Sequence, residues 1–375
     1  MEVLSCVRTT GLRTSLTMSP VARVRRSVAL AVAFIAIGGT SARAAAPPPA
    51  TWRVTTLEHV DLWLHGFALL TSDTGRVPFF QRGYKVQINS LKKQKNAFTL
   101  LDANAHDLSA RFATNPALAN AQFVAMYFPS MQEIVNATDL FIRSNGDPRA
   151  ARDQQMYQEL AILAANFPSP ADRNWLRLYV ASLQDESAKF YHAYWNAEQA
   201  RRTAAFQAVQ EQWASKYYPK LSRFLNNTQQ EGGQLVLSLP LGGEGRTVND
   251  GKQNNIVAVE YPEKPELATD AIFAFIHEAM AKIVDEVIND NSSPADKRTG
   301  ALAGYVGNGA VRGGALLVQR IAPELVPDYM RYYERTMGMT APKGDLQNLF
   351  ETAFPLPDNI LAAISKQIDI LLGGI

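Results

Sequence analysis

Helical periodicity covers nearly half of this 375-residue chain and then stops at one place. From Thr55 to about Gln230, apolar residues recur three and four positions apart, the spacing of one helix face. Helix breakers such as Gly146-Asp147-Pro148 separate the periodic segments, and the pattern ends at Glu231-Gly232-Gly233. We therefore predict a helical N-terminal region over residues 45–230.

Strand-forming residues dominate the segment that follows. The runs 235–239 and 255–261 are rich in Leu, Val and Ile, and a glycine-rich turn at 242–245 and a second turn at 249–251 lie between them. An isolated hairpin is only marginally stable in water, so a further strand elsewhere in the chain has to complete the sheet. The sequence predicts a small antiparallel β-sheet across residues 235–261.

Helical patterns return after the strands and continue to the end of the chain. We predict one helix over residues 270–289, ended by Asn291-Ser-Ser-Pro294, and a last helix over Asp358 to Leu372. The expected fold class is therefore α+β and predominantly α-helical, with residues 231–375 forming a second region of strands followed by helices.

Residues 1–44 are expected to be a secretory signal peptide. Three arginines between positions 23 and 26 precede an apolar run over 27–39, and Ala42-Arg43-Ala44 supplies a cleavage site. Ala46 is an alternative cleavage position, and Met18 is an alternative start. The apolar run is shorter than the roughly 20 residues that a membrane-spanning helix needs. We expect export to a periplasmic or extracellular location and no membrane partner after cleavage.

Charge and cysteine content narrow the classes of function. The chain has 37 basic and 35 acidic residues, but residues 1–44 hold six arginines and one acid, so residues 45–375 carry a net charge of −3. This balance gives no reason to expect a nucleic-acid partner. Cys6 is the only cysteine and lies in the predicted signal. Disulfides, thiolate zinc ligands and a cysteine nucleophile are thus excluded from the mature chain.

The helix predicted over 270–289 contains the best candidate site, Phe273-Ala-Phe-Ile-His-Glu-Ala-Met-Ala-Lys282. In an HExxH helix, two histidines one turn apart bind one Zn²⁺, and the glutamate is the general base. This sequence has the first histidine, His277, and the glutamate, Glu278. The position of the second histidine is Ala281, which cannot bind a metal.

The order of glycine turn, strand, short loop and His-Glu helix over residues 232–290 resembles the core of zincin-type, gluzincin-like zinc metallopeptidases. In that fold an edge strand lines the substrate cleft, and the next helix presents the metal ligands. The resemblance implies that 255–261 is the edge strand, that His277 is a zinc ligand and that Glu278 is the general base. It further implies Zn²⁺ as cofactor and a peptide or protein as substrate.

No residue of the same helix can replace the missing histidine. Asp285 lies eight positions after His277, about 12 Å along the axis, whereas zinc–ligand bonds are about 2 Å long. Glu286 fails for the same reason. A third ligand would have to come from a later helix, where Glu324 and Glu334 are the available acids, each without a recognisable motif.

A second group of polar residues lies on one predicted helix face. Glu58, Asp61 and His65 are spaced at i, i+3 and i+7, so they could bind a metal, although a local histidine–carboxylate hydrogen bond is the alternative that we favour. The other histidines are given no ligand role: His59, His106 and His192.

Two hypotheses follow. In the first, the chain is an exported metallopeptidase-like protein whose zinc site is altered or lost. In the second, it is a non-catalytic helical binding or structural protein, in which His277 is a packed histidine and Glu278 pairs with Lys282 on the helix surface. The first hypothesis expects His277 to face an open cleft.

Overall fold

The computed structural model describes residues 52–71, 75, 77–249, 251–338 and 345–373. The predicted signal peptide lies outside the described residues. None of the helices within these ranges is long and apolar enough to cross a membrane.

Within the described residues, nine α-helices precede the main part of the sheet: α1 Glu58–Leu70, α2 Tyr84–Gln94, α3 Leu100–Thr114, α4 Met131–Arg143, α5 Gln154–Asn166, α6 Pro170–Glu186, α7 His192–Arg201, α8 Thr203–Gln212 and α9 Tyr218–Asn227. A 3₁₀ segment, Pro116–Tyr127, connects α3 to α4. Single π-helical turns at Ser187–Tyr191 and Trp213–Tyr217 join α6 to α7 and α8 to α9.

In the part of the chain that the structure describes, six α-helices follow the sheet: α10 Ala268–Asn291, α11 Pro294–Thr299, α12 Ala301–Ile321, α13 Val326–Thr336, α14 Leu346–Ala353 and α15 Asp358–Leu372. The predicted bounds of α15 are confirmed, and Gly373 ends this helix in the left-handed region with φ 77°. The helix expected over 270–289 is confirmed too. It is a little longer than expected, because the 3₁₀ turn Pro265–Leu267 leads directly into it.

Among the residues described, the sheet has four strands: β1 Trp52–Thr55, β2 Gly233–Ser238, β3 Arg246–Val248 and β4 Asn255–Glu260. Their spatial order is β1-β2-β4-β3. β1 pairs in parallel with β2, β2 pairs in parallel with β4, and β3 is an antiparallel edge strand next to β4. The strand at the start of the helical region therefore completes the sheet of the second region.

The predicted antiparallel sheet is only partly right. The two strands expected over 235–239 and 255–261 are present, but they pair in parallel. The reason is β3, a three-residue strand in the glycine-rich segment between them, which takes up the chain reversal and forms the antiparallel hairpin with β4. Gly233, the first residue of β2, allows the close approach of Asn255 in β4, because a Cβ there would lie 2.1 Å from the carbonyl oxygen of Asn255.

α10 is the central helix of the fold. Phe275 on its sheet side packs edge-to-face on Trp52 of β1 and Trp213, with ring centroids 5.0 and 4.6 Å apart. On another side, Gly313 of α12 comes so close to Met280 that an added Cβ would lie 3.0 Å from its terminal carbon. The observed class is α+β and predominantly α-helical, as predicted.

Candidate functional site

Glu278 of α10 points towards the edge strand. Its Oε2 accepts a 2.6 Å hydrogen bond from the hydroxyl of Thr247 in β3. Gly245, just before β3, lies so close that an added Cβ would be 2.6 Å from Glu278 Cγ. The carboxyl group is thus held under the beginning of β3, and the alternative of a surface pair with Lys282 is not what the structure has.

Burial raises the pKa of Glu278 to about 7, and the nearby Glu244 acts in the same direction. The hydrogen bond from Thr247 and the charge of Arg246 lower the pKa and offset part of the effect. A carboxyl with a pKa near neutrality exchanges protons readily at physiological pH, which is the property that a general base needs. A pKa near neutrality alone does not make Glu278 a general base, because the group that gives up its proton has to lie next to the carboxyl.

His277 is 5 % exposed and packs against α13. Its ring lies 5.8 Å from the ring of Tyr333 at an interplanar angle of 71°, which is an edge-to-face contact. The expectation that His277 faces an open cleft is therefore wrong. Tyr333 of α13 occupies the space beside the histidine.

The residues around His277 do not fit a zinc site. Ala281 lies one turn further along α10, and Asp285 and Glu286 lie beyond it on the same helix. Glu324 is exposed in a 3₁₀ turn, whereas Glu334 is buried on α13. Among the described residues, no group of three or more histidine, cysteine, aspartate or glutamate side chains is arranged to hold a metal ion.

The edge strand is β3, not the strand 255–261 that the resemblance implied. Arg246 in β3 is almost fully buried, and its Nη2 and Nε donate to Oε1 of Gln122 at 2.6 and 3.2 Å. Its guanidinium also lies over the rings of Phe79 and Phe123. This contact is not predictable from the sequence, because Gln122 is 124 positions away in a segment without any motif.

The face of Glu58, Asp61 and His65 does not form a metal site either. The three side chains reach different partners: Glu58 pairs with His192 at 2.8 Å, and His65 Nε2 lies 3.1 Å from Glu186. The alternative of a local histidine–carboxylate hydrogen bond is wrong as well, because the carboxylate that His65 contacts is Glu186 of α6 and not one of the same helix face.

The remaining histidines also take no part in a common site. His59 Nε2 lies 2.8 Å from the carbonyl oxygen of Phe128, and His106 is exposed on α3.

Asp61 is a fully buried carboxyl at the carboxyl end of β2. Its Oδ2 accepts hydrogen bonds from Trp195 Nε1 at 3.0 Å and from the backbone N–H of Leu239 at 3.3 Å. Burial raises its pKa to about 7, and the hydrogen bonds from Trp195 and Leu239 offset only part of this rise. The contact with Leu239 joins α1 to the end of β2.

A charged network lies in the helical region. Glu186 is completely buried, and its Oε2 is 2.7 Å from Lys92 Nζ, which is also 2.7 Å from Asp102. His65 completes the network, with Nδ1 2.9 Å from the hydroxyl of Tyr84. Burial alone would raise the pKa of Glu186, but His65 and Lys92 outweigh it and hold the pKa at about 2.

Two surface pockets, of about 360 and 330 Å³, lie away from the candidate site. The first is between α12 and residues 355–357, and the second is at the end of the sheet next to Lys252 and Lys282. Neither includes His277 or Glu278 in its lining. The pockets therefore give no support to a substrate cleft at the His-Glu pair.

No protein-family model, no curated protein and no solved structure matches this chain.

Proposed function

We propose that this chain is an exported, non-catalytic protein built on a zincin-type sheet-and-helix unit whose zinc site has been lost. The observation that carries the proposal is the hydrogen bond between Glu278 and Thr247. It places the glutamate of the His-Glu pair directly under the edge strand, which is where a zincin-type general base would meet a substrate.

The order of elements supports the same origin. An antiparallel edge strand, β3, is followed by β4 and then by the His-Glu helix α10. This order agrees with the sequence resemblance in the glycine turn, the strand β4 and the His-Glu helix, and it differs in that the edge strand is β3.

The proposed loss of zinc-dependent hydrolysis follows from the residues at the ligand positions. Zinc in a hydrolytic site needs three protein ligands and an open fourth position. Here Ala281 replaces one ligand, and Tyr333 packs beside the other, His277. Without the metal there is no zinc-bound water for Glu278 to deprotonate. In this chain Glu278 instead fastens α10 to β3.

A second candidate function is a binding or structural protein with no peptidase ancestry. The observation in its favour is that Thr247 and Tyr333 account for both residues of the pair as packing and hydrogen-bonding groups. Both candidates share export and the absence of hydrolysis, and they differ in whether position 281 once held a ligand.

Restoring the missing histidine separates the two candidates. We expect Ala281→His to bind Zn²⁺ at least about tenfold more tightly than the unmodified protein, because two histidines one turn apart can share one ion. Competition with a chromogenic zinc chelator measures the affinity. Adding His277→Ala should abolish the gain.

Asp285→His is the matched control, because its imidazole would lie about 12 Å from His277 along the helix axis. Equal zinc affinity in Ala281→His and Asp285→His would contradict the zincin origin and favour the second candidate.

A further inference from the structure

The segment 77–101, which contains α2 and the turn into α3 and is called the α2–α3 corner below, has an unusual surface composition. From residue 77 to 101 the chain has no acidic residue, while it has four lysines and an arginine. The two most exposed large apolar side chains of the described surface, Val86 at 74 % and Phe98 at 71 %, belong to the same segment. Leu100 adds a third, at 44 %.

The exposed lysines lie beside these apolar groups. Lys93 and Lys95 are at the end of α2, within five positions of Phe98, and Val86 and Lys93 are seven positions apart on one helix face. The neighbouring Asp185 is already paired with Lys189, 2.8 Å away. Excess positive charge therefore surrounds a few protruding apolar side chains.

The corner is held rigidly. Lys92 of α2 reaches into the buried network, where it binds Glu186 and Asp102. Thr99 caps α3 and exchanges hydrogen bonds with Asp102 in a capping box. Because both ends of the turn are fixed, Phe98 and the lysines are presented without a large loss of conformational freedom on binding.

We propose that this α2–α3 corner docks on the surface of a lipid bilayer that carries anionic headgroups. Separate apolar side chains among lysines suit a bilayer surface, where the apolar groups enter the headgroup boundary and the lysines contact anionic lipid. Protein–protein interfaces are instead depleted in lysine and have a continuous apolar core. Membrane binding by this corner would differ from the expectation, based on the sequence, that the chain has no membrane partner after signal cleavage.

Vesicle co-sedimentation tests the proposal. The mature protein is expected to bind phosphatidylcholine vesicles that contain phosphatidylglycerol, to bind pure phosphatidylcholine much more weakly, and to lose binding as salt is added. Phe98→Ser should weaken binding about tenfold, and Lys93→Glu with Lys95→Glu should weaken it about tenfold or more.

Matched controls keep these results specific to the corner. Ile370→Ser changes an apolar side chain that is 47 % exposed on α15, and Lys216→Glu reverses an exposed lysine in the second π-helical turn. Both should bind as the unmodified protein does, and thermal unfolding should show that all variants are folded.

Three outcomes overturn the proposal. They are no binding to anionic vesicles at low salt, equal binding in the corner and control variants, and binding to immobilised polyglutamate without vesicle binding. The last would assign the corner to an acidic protein partner.

Discussion

Glu186→Ala is expected to lower the free energy of unfolding by about 3–5 kcal/mol, the largest single effect that we predict. Glu186 is fully buried and balances the charge of Lys92, whose side chain is 4 % exposed. Removing the carboxylate leaves a buried ammonium group with only Asp102 as its anionic partner. Chemical denaturation near neutral pH measures the change.

An exposed ion pair provides the control for Glu186. Asp328 and Arg331 are 2.9 Å apart, and both side chains are more than half exposed. Because solvent screens such pairs, Asp328→Ala should change the free energy of unfolding by less than about 1 kcal/mol. A loss below about 1 kcal/mol in Glu186→Ala itself would show that the network does not stabilise the helical region.

The second large effect concerns pH. The pKa of Asp61 is about 7 in the folded protein against 3.8 for an ordinary aspartate, so the folded state binds an extra proton between these values. The protonated carboxyl of Asp61 therefore makes its full contribution to the free energy of unfolding below about pH 4. This contribution falls as the pH rises and is lost above about pH 7. A shift of about three pKa units corresponds to a loss of about 4 kcal/mol.

Asp61→Asn isolates this effect, because the amide has nearly the same shape and does not titrate. Its oxygen can still accept from Trp195 and from the backbone of Leu239. At about pH 4 the variant should be within about 1 kcal/mol of the unmodified protein, and at about pH 8 it should be more stable by up to about 4 kcal/mol. An equal loss of stability at both pH values would contradict the assignment.

Two further carboxyls also make the folded protein less stable as the pH rises. Burial raises the pKa of Glu260 and of Glu278 to about 7, with Asp270 adding to the shift of Glu260. Glu186 acts oppositely, because its pKa of about 2 means that stability is lost as the pH falls below about 4. The whole protein should thus be most stable in mildly acidic solution.

Local patterns in the sequence were sufficient for the two helical regions, for α10 and α15, and for two of the strands. Asp358 to Leu372 was predicted to the residue, because an apolar stripe lies between a proline and a glycine. The parallel pairing of β2 and β4 was not predictable in the same way. It depends on β3, whose three residues follow a glycine-rich turn and carry little strand signal.

The surroundings of the candidate site depend on contacts between distant parts of the chain. The His-Glu pair and its missing partner, Ala281, are visible in the sequence. That Thr247 binds Glu278 and that Tyr333 packs on His277 follows only from how β3 and α13 meet α10. The buried network shows the same limit, since Lys92 and Glu186 are 94 positions apart.

The zinc content of the purified mature protein tests the central claim most directly. Elemental analysis after dialysis would give the bound zinc per chain, and a mixed peptide substrate would report hydrolysis. Loss of the site predicts far less than one zinc per chain and no hydrolysis that depends on Glu278. One tightly bound zinc per chain that His277→Ala removes, with peptide cleavage that Glu278→Gln abolishes, would contradict it.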